Sequence, residues 1–221
     1  MSVQLYIDGG NFYHLALKPL NIQNNQFNFD AFAEFLADGR DLAQLGKRYY
    51  IGTVREKTGD ERSKYAMSQQ MRLFNKLKQT QWQIKTSKLR ERTEKIIVDS
   101  RILDFEKIRE AGINEISYTT FREKGIDVKI ATDMVVAALD DKCETIIVVS
   151  SDTDLVPMLD IIRFRFKKRI EYIGFSIPDS TGKGNDTKPT KSLIDRSDVQ
   201  RVLIESDIKK FILPEQLPMT K

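Results

Sequence analysis

One cysteine and one histidine stand in a chain of 221 residues, and that scarcity excludes a good deal. Cys143 has no partner for an internal disulfide and no company for a cysteine zinc site. His14 alone cannot supply the histidine pair of a metal-free nuclease, nor a histidine-rich zinc centre. Long apolar runs are absent too: the longest, such as MVVAAL and TIIVV, fall far short of the roughly 20 residues that cross a bilayer. No cationic leader with an apolar core opens the chain, so the expectation is a protein that is not secreted and resides in the reducing cytoplasm.

Carboxylates are the groups left in quantity for chemistry. Hydrophobic residues make up 40% and charged residues 31%, the balance of a soluble globular chain with one sizeable core. The net charge of +4 is mild, but the cations are bunched. Residues 85–95 hold five basic side chains against two acidic ones, and RFRFKKR at 163–169 holds five in seven. Such bunching suits a phosphate backbone, although a charge run is also what a solvated face or a helix end carries. Phe164 and Phe166 inside the second run read as packing residues.

Strands are expected at 3–7, 48–54, 82–86, 145–149 and 169–175. Helices are expected at 29–36, with Asp30 as its cap, and at 61–77, 126–139, 155–166 and 199–211. The helix at 61–77 should bury Tyr65, Met67, Met71, Phe74 and Leu77 along one face. Alternating strands and helices, with continuously apolar strands such as TIIVV, predict a Rossmann-like three-layer α/β sandwich on a mostly parallel sheet. One domain should span 1–221, with an insertion at 88–121 that reads as a hairpin and a short helix. PDSTGKGNDTKPTK at 178–191 has no periodicity and reads as a mobile loop.

Three places concentrate acids. In VQLYIDGGNFYHL a β-prone run stops at Asp8, and an ionised carboxylate at the end of a buried strand needs something to hold it. KGIDVKIATDM puts Asp127 at a helix start and Asp133 inside that helix, about 120° away around the axis. VVSSDTDLVPML sets Ser151, Asp152 and Asp154 directly after a strand. Ligands of open parallel sheets bind beyond the carboxyl ends of the strands, where strand order reverses. If strands 3–7 and 145–149 are neighbours there, Asp8 and Asp152 share a crevice. Crowded carboxylates repel one another unless a hard cation such as Mg²⁺ sits among them. Each acid has a plainer reading as a helix cap, Gly9 and Gly10 read equally as a tight turn, and Asn11 as a cap.

The motifs IDGGN, KGIDVKIATDM and VVSSDTDLVPML, in this order, resemble the NYN domains of the PIN-like nuclease superfamily, most nearly the bacterial LabA-like branch. LIESDIKKFIL, with Leu203 and Asp207, resembles that branch's closing segment. The resemblance implies Mg²⁺- or Mn²⁺-dependent cleavage of RNA. It gives metal-binding roles to Asp8, Asp127 and Asp152, supporting roles to Asp133 and Asp154, and to Asn11 the orienting of Asp8 or its water. Lys124, Ser151, Arg163, Arg165 and Lys167 are the expected substrate contacts, and Lys124 reads equally well as a surface lysine. Residues 88–121 depart from the family pattern by their length. The expected partner is RNA, single-stranded or structured, with no membrane; the sequence leaves a homo-oligomer open.

Two other readings stand beside this one. A nucleic-acid-binding or scaffold module could keep the same fold without turnover. DTDLV at 152–156 formally matches the nucleophile motif of haloacid-dehalogenase-like phosphatases, but it comes too late in the chain and leaves Asp8 unexplained. GKGNDTKPT lacks the spacing of a phosphate loop.

Overall fold

The computed structural model describes residues 2–54, 56, 59–122, 125–179 and 186–213. In chain order the elements are β1 (Ser2–Asp8), α1 (Gly9–Phe12), α2 (Phe29–Ala37), β2 (Asp41–Thr53), α3 (Glu61–Gln79), β3 (Gln83–Lys88), β4 (Arg90–Ile97) and α4 (Phe105–Glu110). There follow β5 (Glu115–Arg122), α5 (Ile126–Leu139), β6 (Thr145–Val149), α6 (Val156–Asp160), β7 (Arg169–Ser176), α7 (Lys191–Asp195), β8 (Val199–Ile204) and α8 (Glu205–Lys209). The turn of α1 continues in π geometry through Tyr13–Leu17, and that of α6 through Ile161–Arg165.

Six strands form the central sheet in the order β3-β2-β1-β6-β7-β8, and every pairing is parallel. Strand order therefore runs outward from β1 in one direction and then, from β6, in the other. The reversal lies between β1 and β6, which pair from Val3↔Thr145 to Ile7↔Val149. Alternation along each strand splits the core in two. Val3, Leu5, Ile7, Tyr49, Ile147, Val149, Ile173 and Phe175 face α1, α2, α3 and α8, where Phe12, Phe27, Phe29, Phe32 and Phe211 pack edge to face or stacked. Tyr6, Tyr50, Ile146, Val148, Ile170 and Tyr172 face α5, α6 and α7. These are the three layers expected of a doubly covered parallel sheet. No described helix is long and apolar enough to cross a membrane.

Residues 88–122 carry β4, α4 and β5; β4 and β5 pair antiparallel in a sheet of their own. Of the 178–191 segment, residues 180–185 lie outside the described residues. Its described flanks are tied down: the Thr187 amide donates to the Ile177 carbonyl at 2.9 Å, and the Thr190 amide to the Tyr172 hydroxyl at 3.0 Å.

Several local expectations need correction. The cap of α2 is Asn28, which accepts from the Ala31 amide at 3.1 Å, while Asp30 in the first turn holds Lys47 at 2.6 Å and the Trp82 indole at 3.0 Å. α3 buries Leu73, Phe74 and Leu77, but Tyr65, Met67 and Met71 are exposed, Tyr65 to 66%. The helix expected at 199–211 is a strand followed by a short helix. In VQRVLI, positions Val199, Arg201 and Leu203 face inward and the residues between them outward, so one side of an edge strand is covered. Pairing with β7 decides the conformation that local propensity left ambiguous.

Beneath β8 a charge cluster ties this edge to the helical layer. Glu171 of β7, only 2% exposed, holds Arg40 at 2.8 Å and Arg201 at 2.6 Å. Both guanidinium groups also donate to carbonyls at the C-terminal end of α2, among them Leu36. The arrangement satisfies orphan carbonyls and places cations at the negative end of the helix dipole.

Candidate active site

β1 delivers Asp8 to the point where strand order reverses. Asp8 is 5% exposed and caps α1: one oxygen accepts the Asn11 amide at 3.0 Å, and the other accepts the Asn11 side-chain amide and, at 3.3 Å, the Ser150 hydroxyl. No basic side chain among the described residues pairs with it. Burial pushes its pKa above the ordinary carboxylate value, and the donors from Asn11, Ser150 and the Gly10 amide pull it partly back. What holds the bare carboxylate at the strand end is therefore a set of amides and hydroxyls.

The close approach of α1 to β2 explains the glycine after Asp8. A Cβ on Gly9 would lie 2.4 Å from the Tyr49 ring, well inside contact distance. Tyr49 is fully buried, and its hydroxyl has no hydrogen-bond partner among the described residues. A side chain at position 9 would push this ring or lift α1, and Asp8 with it.

Ser150, buried at the end of β6, joins the two halves of the site. It donates to Asp8 and accepts the Asp152 amide at 3.1 Å. Ser151 donates to the Asn11 side-chain oxygen at 2.5 Å, and its carbonyl accepts the Thr190 hydroxyl at 3.1 Å. Asp152, half-buried, caps the short turn Thr153–Leu155 by accepting the Asp154 amide at 2.9 Å, and Asp154 is exposed. Asp8 and Asp152 thus flank one serine at the reversal point.

α5 starts at the same edge of the sheet, because it leads into β6 and so runs against the strands. Its cap residue is Gly125 at φ +89°, in the left-handed region where a glycine has no Cβ to strain. Asp127, half-buried in the first turn, is not that cap. The 120° offset places Asp133 on the other flank of the helix, where the Tyr50 hydroxyl donates to it at 2.7 Å and Arg48 approaches to 3.3 Å and Lys85 to 3.9 Å. The Arg48 guanidinium also covers the Tyr6 ring at 5.3 Å. Asp133 is committed to this cationic wall beneath β2.

The basic run is not brought to these acids. From Asp152 the chain descends along α6 and the π-geometry turns to Arg165, roughly 20 Å at the rise of a helix, before β7 begins at Arg169 on the opposite edge. Arg163, Arg165 and Lys167 therefore stand at the amino ends of the strands. Phe166 packs partly buried against the core below α5 and α6, as expected, but Phe164 is 59% exposed. Lys124 lies outside the described residues.

Ser150, Thr190 and Tyr50 belong to the site and escaped sequence reasoning. The serine was visible only as one more small residue between TIIVV and the aspartates. Thr190 comes from a segment without periodicity, and Tyr50 from within an apolar strand.

The donor set suits a hard cation: carboxylate, amide and hydroxyl oxygens, with neither thiolate nor imidazole beside them. Among the described residues no three acidic, histidine or cysteine side chains are gathered closely enough to chelate one metal ion. Mg²⁺, which keeps several of its waters and takes one or two carboxylates, is the kind of cation such oxygen donors suit.

Comparison with known proteins gives the chain its place. No curated protein is significantly similar to it. Among solved structures it is similar to a protein of unknown function from Vibrio parahaemolyticus, with a TM-score of 0.53 and 14% identity over 96% of each chain, a likeness of fold alone. The NYN domain family matches residues 2–199, nearly the whole length. With its six parallel strands and its acids at the reversal point, the chain belongs to the NYN domain family, whose fold is that of the PIN-like nucleases.

Proposed function

We propose that the chain is a metal-dependent ribonuclease that hydrolyses phosphodiester bonds at the crevice between β1 and β6. The observation that carries the reading is Asp8: a buried carboxylate with no basic partner among the described residues, linked through Ser150 to the Asp152 amide. A buried anion with a raised pKa is costly unless it serves a ligand of opposite charge. Asp8, Asp152 and Asp127 would hold Mg²⁺ or Mn²⁺, and a cation there would polarise the phosphate and activate water. Asn11 fixes both Asp8 oxygens, and Ser151 fixes Asn11. Asp154 anchors the turn that aims Asp152. Asp133 serves the site through Tyr50 and Arg48, as a wall and not as a ligand. In-line attack by water leaves a 5′-phosphate and needs neither a 2′-hydroxyl nor a histidine.

The rival is a nucleic-acid-binding module without turnover. Asp8 and Asp152 are both helix caps, and no three described acids converge, which favours it. Purified protein with labelled single-stranded RNA, structured RNA or DNA, in Mg²⁺, Mn²⁺ or EDTA, separates the two. The nuclease predicts metal-dependent cleavage of RNA. Asp8→Asn and Asp152→Asn should each abolish it, fold normally and bind metal more weakly in calorimetry. Their combination should be little worse than either, because they act as one unit. A pure cap predicts no change, since Asn caps as well as Asp. Undiminished cleavage by Asp8→Asn would refute the site; RNA binding without cleavage in the unmodified protein would establish the rival.

A further inference from the structure

The amino edge of the sheet carries a surface that the proposed chemistry does not use. Arg163, Phe164, Lys167, Lys168, Arg169 and Asp198 line a shallow hollow there. Along the same helix Leu155, Met158, Leu159 and Ile162 are buried, whereas Phe164 is 59% exposed. One face of its ring is covered by the Arg163 guanidinium at 5.4 Å. That guanidinium is held by one Asp198 oxygen at 3.0 and 2.6 Å, and the other Asp198 oxygen accepts the Ile170 amide at 2.8 Å. The ring is thus braced from behind by a cation that is itself fixed to β7.

Charge around the ring is uneven. Lys168 is paired with Asp141, and Arg163 with Asp198. Lys167 and Arg169, which line the hollow, are exposed and have no ion pair among the described residues, while Arg165 lies over the Phe166 ring at 6.0 Å. A ligand for this hollow must offer a flat π face together with spaced negative charges. A nucleic-acid duplex buries its base faces in the stack. An acidic peptide or an anionic membrane offers the charges without the face. A single strand offers both.

We propose that this hollow docks single-stranded nucleic acid, with one base stacked on the free face of Phe164 and the flanking phosphates on Lys167 and Arg169. Arg163 and Asp198 act as positioning residues for the ring. Along the helix the run lies roughly 20 Å from Asp152, so a strand touching both needs about six stacked nucleotides at ~3.4 Å each. Binding here does not depend on the cleavage reading.

The test is fluorescence anisotropy of the full chain in EDTA, which keeps any strand intact. Probes are a labelled oligouridine of about 15 nucleotides, an RNA duplex of the same length, and vesicles of phosphatidylcholine with phosphatidylserine. Phe164→Ala should weaken single-strand binding about tenfold and leave duplex binding within about twofold, and Phe164→Trp should restore the single-strand affinity. Lys167→Ala and Arg169→Ala should each flatten the salt dependence of single-strand binding by about 0.7 of a unit of log–log slope. Unchanged single-strand affinity in Phe164→Ala overturns the dock. Equal losses on single strand and duplex reduce it to a charge patch, and binding of vesicles without nucleic acid makes it a lipid surface; either result overturns the proposal. Because no metal is present, failure of cleavage at Asp8 leaves this outcome untouched, and the reverse also holds.

Discussion

Asp8 is a carboxylate whose folded surroundings oppose its own charge. Burial is the largest influence and raises its pKa, and the hydrogen bonds from Asn11 and Ser150 only moderate that rise. Below the unfolded pKa, near 3.8, the group is protonated in both states and costs nothing. As pH climbs through the raised folded value, the unfolded chain has already released its proton, so stability falls and stays lower above that value. Asp8→Asn should lack this component. In EDTA the variant's melting temperature, relative to the unmodified protein, should rise with pH across the acidic range and then level off. Each kcal/mol of relief reads as about 2–4 °C in a chain of this size. Mg²⁺ or Mn²⁺ should raise the melting temperature of the unmodified protein more than that of the variant, because a ligand of the native state stabilises by mass action. Scanning calorimetry at stepped pH checks both, and a difference that does not vary with pH would contradict the account.

The second core face and the edge of the sheet show how elements are tied together. Glu171, between Arg40 and Arg201, clamps the end of α2 to β7 and β8. Glu171→Gln leaves two guanidinium groups without their anion. Breaking a buried pair costs about 3–5 kcal/mol, and the low end is expected here because both arginines keep some water contact. Urea unfolding should show that loss with an unchanged slope. Elements whose signal is local were legible: α5 and β6 fall at 126–139 and 145–149 as read, because length and flanking signals mark the helix and a short, continuous β-branched run marks the strand. β8 was not, because VQRVLI is compatible with either conformation until β7 offers an edge. α3 was read as burying Tyr65, Met67 and Met71, yet only its C-terminal turns reach the core. The acids at strand ends were legible as a set, since polar residues after buried strands mark the carboxyl edge. The ion pairs that claim Asp133 were not, since Arg48 and Lys85 approach it only through the folding of β2 and β3.

Taken as a whole molecule, the chain sets its strand-end aspartates and its densest basic run at opposite edges of one sheet. Acids gather where the strands end, and the RFRFKKR run gathers where β7 begins. Sequence proximity hid this separation: Asp152 and Arg163 are close along the chain, but a helix lies between them and carries the run to the far edge. The central pairing of β1 with β6 has a consequence in time. Ser150 and Asp8 touch although they lie 142 positions apart in the chain, and β1, the first strand made, must wait for β6 before both its flanks are filled. Such contacts are slow to form, because a long loop has to close before any of them stabilises the chain. During synthesis Asp8 and Asp152 therefore stay apart until β6 and the residues after it have emerged. A fragment ending at Lys142 keeps Asp8, Asn11 and Asp127 but lacks β6. It should give no cooperative melting transition and no heat of Mn²⁺ binding, and supplying residues 143–221 as a second fragment should restore both.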